Sequence, residues 1–246
     1  MKGIWKKLFR PKIEGGVNPK TNGENQILTE TIRLWLDSGL NDKFYLFDIG
    51  ANIGGYTEGA INAFNACKVN YEIHIFEPQA SCFEILKEKF EGNKSVILNN
   101  FALGSVSEKG VIHKITEGSS SASIFKRNVF GDTVLTESIQ IENGDAYLER
   151  RSIERVNFLK IDTEGNELKV LEGFKMALNM KIQNIQFEYG GTYEDANITL
   201  KEVFDLLKSN FRIGKIFPNH VKYSNYSESL EDFKYTNYFA KRKNAS

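Results

Sequence analysis

The chain has 246 residues, 41% of them hydrophobic, which is enough for one large domain with a buried core. Its 32 basic and 32 acidic side chains balance, so charge indicates neither nucleic acid nor a membrane as the general partner and favours a neutral or small ligand. Three scattered histidines and two cysteines outside any CxxC pair predict no metal site. No apolar run approaches the roughly 20 residues of a membrane span, so we expect a cytoplasmic protein.

The chain is predicted to begin with an extension over residues 1–40, ahead of a main domain over residues 41–246. Residues 1–12 are basic, with apolar side chains on one helical face. This pattern favours a short helix packed on the domain, with a peripheral contact with the inner face of the membrane as the alternative. A loop rich in glycine and proline is predicted over residues 11–26, and a helix with an apolar face over residues 27–36.

The body of the chain then alternates strands and helices. The apolar runs "KFYLFDIG", "YEIHIFEP" and "SVILNNFALG" predict three strands, with helical segments between them. Strands this continuously apolar, separated by helices, are typical of a parallel sheet covered on both faces. The sequence therefore predicts a doubly wound, Rossmann-like α/β domain.

The alternation is interrupted once and then resumes. The segments "VIHKI", "SASIF" and "ESIQI" predict short strands without helices between them, and so a β-rich insertion that can carry substrate-shaping loops. Two more strands follow in "VNFLKIDTEG" and "IQNIQFEYG", and a helix in "LKEVFDLLKSN". The runs "FRIGKIFP" and "YTNYFAKRK" are predicted to close the sheet as an antiparallel pair joined by a long loop.

Two acids end neighbouring predicted strands, with a glycine turn between them. Asp48 ends the first strand and Glu77 the second. Ligands of doubly wound sheets bind beyond the carboxyl ends of the strands, which is where both acids and the turn at Gly50 are expected. The turn fits a dinucleotide frame only with Asn52 in place of the middle glycine. It also fits the frame D-x-G-x-N-x-G, which ends at Gly54.

The charge of the first acid separates these frames. An anionic Asp48 repels a pyrophosphate but attracts an ammonium group, whereas Glu77 suits a ribose diol in either frame. S-adenosylmethionine carries a ribose and a free ammonium and has no phosphate, so we predict it as the cofactor. A nicotinamide-dependent oxidoreductase stays as the alternative, supported by the frame of Gly50 and Gly55. Asp48 could also simply cap the following helix.

The motifs "FDIGANIGGYT", "IFEPQ", "NNFALGSVSEKG" and "LKIDTEGNELKVLEGF" together resemble the FkbM family of S-adenosylmethionine-dependent methyltransferases, over roughly residues 44–240. The resemblance implies a class I methyltransferase sheet of seven mostly parallel strands in the order 3-2-1-4-5-7-6, with the last-added strand antiparallel. It also implies O-methylation of a hydroxyl, often on a sugar or natural product, as in polysaccharide biosynthesis. The chain departs from the family's usual pattern at "IDTEG" and "ENGDAYL".

The resemblance also implies a set of cofactor-binding residues. The methionine-end loop corresponds to Asp48, Gly50, Ala51, Asn52 and Gly54. The ribose site corresponds to Glu77 and Pro78, the adenine-side loop to Asn100 and Ala102, and the acid facing the methionine or the acceptor to Asp162.

Methyl transfer to an alcohol requires alignment and the removal of a proton, so a carboxylate near the acceptor is useful as a general base. Asp162 and Glu188 end adjacent predicted strands, and Asp162 is the first candidate for the base. Its alternative role is electrostatic, because acids at the start of a helix complement the helix dipole. The predicted partner is a small-molecule or glycan hydroxyl acceptor. A non-catalytic module that binds a glycan or a partner protein remains the third possibility.

Overall fold

A computed structural model describes residues 23–40, 42–125 and 134–243. The predicted membrane contact of residues 1–12 lies outside the described residues. The described helices are α1 Glu24–Asp37, α2 Gly55–Cys67, α3 Ala80–Phe90, α4 Gly144–Arg150, α5 Glu167–Gly173, α6 Ala177–Met180, α7 Thr192–Ala196 and α8 Leu200–Leu207. The described strands are β1 Phe44–Ile49, β2 Tyr71–Phe76, β3 Val96–Asn99, β4 Ala102–Gly104, β5 Glu108–Lys114, β6 Leu135–Asn143, β7 Phe158–Ile161, β8 Asn184–Tyr189, β9 Phe211–Phe217, β10 His220–Tyr223 and β11 Thr236–Arg242.

The central sheet has eight strands in the order β10-β9-β11-β8-β7-β1-β2-β3. Strands β3, β2, β1, β7 and β8 pair in parallel, and β11 is antiparallel to both β8 and β9. This arrangement confirms the predicted order of seven strands and the antiparallel last-added strand. The eighth strand, β10, folds back on β9 as a hairpin and lies within the long loop that was predicted between the two closing strands.

The predicted β-rich insertion is a second sheet of three strands, ordered β4-β6-β5. The segments "VIHKI" and "ESIQI" lie in β5 and β6, but the strand predicted in "SASIF" is wrong, because that segment makes only an isolated bridge between Ser123 and His113. The run "SVILNNFALG", expected as a single strand, divides into β3 and β4, which belong to different sheets. Two asparagines at the division explain the turn. Asn99 Nδ2 donates to the carbonyl oxygen of Ile75, and Asn100 Nδ2 donates to that of Glu77, so both side chains fix the end of β3 beside the end of β2, where the chain turns.

The main sheet is covered on both faces by separate hydrophobic clusters. On one face, α1 and α2 pack through Ile32, Trp35 and Phe64 against β1. On the other, Tyr147 of α4 and Phe174 pack against Phe47. This double cover sets the parallel strands β2, β1, β7 and β8 side by side, so their carboxyl ends form one edge where polar residues gather.

The described helices are short or polar relative to a membrane-spanning helix. None of them combines the length and the apolar character needed to cross it.

Candidate functional site

The turn after β1 depends on two glycines with left-handed backbone. Gly50 has φ 78° and Gly54 has φ 82°, values that glycine adopts without a Cβ penalty. A Cβ on Gly50 would lie 1.9 Å from the carbonyl oxygen of Asp162, and one on Gly54 would lie 2.8 Å from the side chains of Leu86 and Phe90. The turn therefore touches the end of β7 on one side and α3 on the other.

The amide groups of this turn are already engaged within the protein. The N–H groups of Gly50 and Ala51 donate to the carbonyl oxygen of Phe76, at 2.9 and 3.3 Å. The N–H of Asn52 donates to Glu77 Oε2 at 2.8 Å. A dinucleotide turn uses such N–H groups to bind its pyrophosphate. This occupied turn therefore disfavours the nicotinamide alternative.

Glu77 is a buried acid held by backbone. It is 3% exposed, and its Oε1 accepts from the N–H of Gln79 at 2.9 Å while Oε2 accepts from Asn52. Burial raises the pKa of Glu77 to about 7, although these hydrogen bonds oppose the shift. Its carboxylate and the adjacent Pro78 line a cavity at the carboxyl edge of the sheet.

Asp48 occupies a different position from the one expected of it. Its side chain is fully buried, its Oδ2 accepts from Thr57 Oγ1 at 2.7 Å, and its Oδ1 lies 3.5 Å from Lys160 Nζ. The residue is not part of the cavity lining. Thr57 of α2 and Lys160 hold the carboxylate behind the turn, and a direct contact of Asp48 with the ligand ammonium stays a prediction.

The acids that follow β7 and β8 do meet in the cavity. One carboxylate oxygen from each of Asp162, Glu164 and Glu188 lies within 4.8 Å of the others, an arrangement that also occurs without a metal ion. Asp162 Oδ2 accepts from Lys160 Nζ at 3.2 Å. Burial, followed by these neighbouring carboxylates, raises the pKa of Glu188 well above its ordinary value. The predicted pair Asp162 and Glu188 is therefore brought together.

The cavity has a volume of about 370 Å³, within the range of small-molecule sites. Its lining includes these predicted residues: Gly50, Asn52, Glu77, Pro78, Ala102, Asp162 and Glu188. The remaining predicted residues, Asp48, Ala51, Gly54 and Asn100, support it from outside the lining. A larger cavity of about 800 Å³ lies at the opposite edge of the sheet, near Trp35 and Lys241, and none of the predicted residues lines it.

Three groups of site residues were not named from the sequence, although the insertion was expected to carry substrate-shaping loops. The β-rich insertion supplies a wall through Ile112, Ala122 and Ile124. Tyr235, just before β11, lines the cavity and bonds to Glu188. Lys160 lies behind the wall on β7, and the signal for it was present, because a lysine inside an apolar strand needs a buried acid as partner.

The sheet order, the glycine turn and the acid of the second strand define a class I methyltransferase of the kind that uses S-adenosylmethionine, as predicted for fold and cofactor. The DszA carbon methyltransferase has the same fold, with a TM-score of 0.50 and 11% identity over 90% of this chain and 54% of that one. The sequence pattern of the family described as "Methyltransferase FkbM domain" matches residues 48–213, more than half of the chain. The chain therefore belongs to the FkbM methyltransferase family.

One relative is a methyltransferase whose name states its substrate. The hexuronic acid methyltransferase AglP of Haloferax volcanii is 30% identical over 149 residues, which cover 61% of this chain. The match spans 57% of the length of that relative, so it covers little more than half of it.

Proposed function

We propose that this methyltransferase transfers the methyl group of S-adenosylmethionine to a hydroxyl of a sugar, a glycan or a natural product. The observation that supports the proposal is the turn that follows Asp48. Its N–H groups already donate to Phe76 and Glu77, and the cavity beside it is lined by four carboxylates. This cavity suits a ligand that is cationic and lacks phosphate.

The residues of the cavity fit the parts of that cofactor. Glu77 accepts hydrogen bonds from the ribose hydroxyls, because its carboxylate is fixed by two backbone N–H groups at the end of β2. Ala102 and Leu103 supply an apolar wall for the adenine. Asp162, on the other side of Gly50, is the acid placed to meet the ammonium end, with Asp48 acting behind it rather than by contact.

The cofactor supplies an electrophilic methyl group, and the protein has to align the acceptor and remove its proton. The candidates for the proton acceptor are Asp162 and Glu188, which lie in the same cavity. Tyr235 and the loop residue Ser120 also line it and offer hydroxyl groups to a polyol. The sugar-modifying relative AglP supports a glycan acceptor by similarity.

Calorimetry tests the cofactor part directly. Titration with S-adenosylhomocysteine is expected to give saturable binding, while NADH is expected to give none. A folded sample that binds NADH and ignores S-adenosylhomocysteine would reject the proposal.

The acceptor part is tested with radiolabelled S-adenosylmethionine and a panel of methyl glycosides that carry neutral, carboxyl or amino groups. Label is expected in an ether linkage that survives alkali. Label released by mild alkali would identify an ester, and therefore a carboxyl acceptor. Cofactor binding without transfer to any member of a broad panel would favour a binding module.

A further inference from the structure

Lys160 is a buried cation that connects two strand-tip acids from behind the cavity wall. It is 5% exposed and pairs in register with Asp48 of β1 and Gln186 of β8. Its Nζ lies 3.2 Å from Asp162 Oδ2 and 3.5 Å from Asp48 Oδ1. A buried ammonium is retained when carboxylates compensate it. Asp162 therefore has a fixed positive charge beside it.

The electrostatics of Lys160 agree with this geometry. Burial alone would lower the pKa of its ammonium, but the carboxylates of Asp162, Asp48 and Glu24 outweigh burial and raise that pKa. Glu24 acts from α1, on the face of the sheet opposite to α4, and Asp48 acts from β1. The ammonium of Lys160 is therefore a protonated partner for these carboxylates.

Glu188 lies in a contrasting environment. It is 5% exposed, and burial is the largest cause that raises its pKa. The carboxylates of Asp162, Glu164 and Glu167 add to the shift, and the hydrogen bond with Tyr235 opposes it. Asp162 and Glu188 both lie beside other carboxylates, but Asp162 also has the Lys160 ammonium as a direct partner, whereas Glu188 bonds to Tyr235.

We propose that Lys160 is a positioning residue that gives the two acids different roles, holding Asp162 as an anion while Glu188 accepts the proton. Environments that separate the protonation of two neighbouring carboxyls assign their acid and base roles. The inference rests on the proposed methyl transfer and deepens it. It also revises the earlier preference for Asp162 as the base.

In the proposed step, the acceptor oxygen bonds to the methyl carbon while the carbon–sulfur bond breaks and its electron pair stays on sulfur. The hydroxyl proton moves to the ionised carboxylate of Glu188 and then to solvent. Asp162 remains ionised throughout and faces the cationic end of the cofactor.

The test is a carbon-13 NMR titration of the side-chain carboxyls in the full-length protein without substrate. The Asp162→Asn and Glu188→Gln variants assign the two signals. In the wild type, the Glu188 and Asp162 signals are expected to move in separate steps, because only Asp162 contacts the Lys160 ammonium. In Lys160→Met, both signals should move in one shared step, because the proton no longer has a preferred site. Lys160→Arg should restore the wild-type pattern.

Two controls keep this test decisive. Asp48→Asn combined with Lys160→Met removes both charges of the internal pair, so it protects folding while still depriving Asp162 of its cation. Lys87→Met changes an exposed lysine on α3, 52% exposed, and should leave both signals unaltered. Shared titration in the wild type, or an unmoved Asp162 signal in Lys160→Met, would overturn the inference. The titration is readable even if S-adenosylhomocysteine fails to bind, so the two proposals can fail separately.

Discussion

The carboxyl ends of β1 and β2 each carry one acid, and the two acids differ in their hydrogen-bond partners and in their position relative to the cavity. Asp48 is bonded by side chains, from Thr57 and Lys160, and lies outside the cavity. Glu77 is bonded by backbone N–H groups and lines the cavity. The strand tip places an acid at the edge of the sheet, but the partners of that acid decide whether it serves stability or the ligand.

The largest effect is expected from Asp48→Ala. Removing this carboxylate leaves the buried Lys160 without one of its partners, which costs about 3 kcal/mol of unfolding free energy. Urea unfolding measures it. The matched control is Asp205→Ala on α8, whose carboxylate is 42% exposed and pairs with surface lysines, so the change should stay within about 1 kcal/mol. Equal losses for the two variants would contradict the assignment of Asp48 as an internal acid that stabilises the fold.

A smaller effect on stability is expected from Gly50→Ala. The left-handed backbone of Gly50, and a Cβ placed 1.9 Å from the carbonyl oxygen of Asp162, together should cost roughly 2–3 kcal/mol and distort the cavity. Thermal unfolding checks the prediction. Gly55→Ala is the control, because Gly55 starts α2 with nothing within 4 Å of a new Cβ, and it should be neutral or slightly stabilising.

Glu77→Gln should lower affinity and also stability, because the amide NH2 of glutamine cannot accept from one of the two backbone N–H groups that Glu77 binds. A ribose diol donates to a carboxylate better than to an amide, and the loss of a charged hydrogen bond worth about 1.5–3 kcal/mol raises the Kd for S-adenosylhomocysteine more than tenfold. Calorimetry compares it with Glu84→Gln, an exposed change on α3 that should leave the Kd unaltered. If Glu77→Gln binds as the wild type does, the assignment of Glu77 to the ribose is lost.

The smallest expected effect is the pH dependence that Glu77 gives to stability and to ligand affinity. Burial raises the pKa of Glu77 from its ordinary value of 4.5 to about 7, so the folded protein binds this proton more tightly than the unfolded chain does. The contribution of Glu77 to stability is therefore present below pH 4.5 and is lost as pH rises through about 7. The ligand binds the ionised form of Glu77, so affinity falls as pH falls, and the Kd should rise about tenfold from pH 8 to pH 6. Calorimetry at several pH values measures this slope, and Glu77→Gln should abolish it.

Much of this architecture could be predicted because its signals are local. The run ending at Asp48 and the run ending at Glu77 specify buried strands, and the glycines at 50 and 54 specify the turn between them. The sheet order followed from the family resemblance and was confirmed. These features depend on residues close together in the chain.

The features that sequence reasoning missed depend on distant residues. The orientation of Asp48 is set by Lys160, which lies 112 positions away, and no local pattern reports that contact. The separate sheet of the insertion arises because β4 pairs with β6 across a long segment, so β3 could not be distinguished from β4 beforehand. Glu188 owes its environment to acids from β7 and α5 that meet only after folding.

The central claim is that the cavity between Gly50 and Glu77 receives the adenosine of the cofactor, and a crystal structure with S-adenosylhomocysteine tests it most directly. The account predicts both ribose hydroxyls on the Glu77 carboxylate and the ammonium end toward Asp162, with Asp48 still bonded to Thr57. Density for the compound in the larger cavity beside Trp35, or a ribose turned away from Glu77, would contradict it.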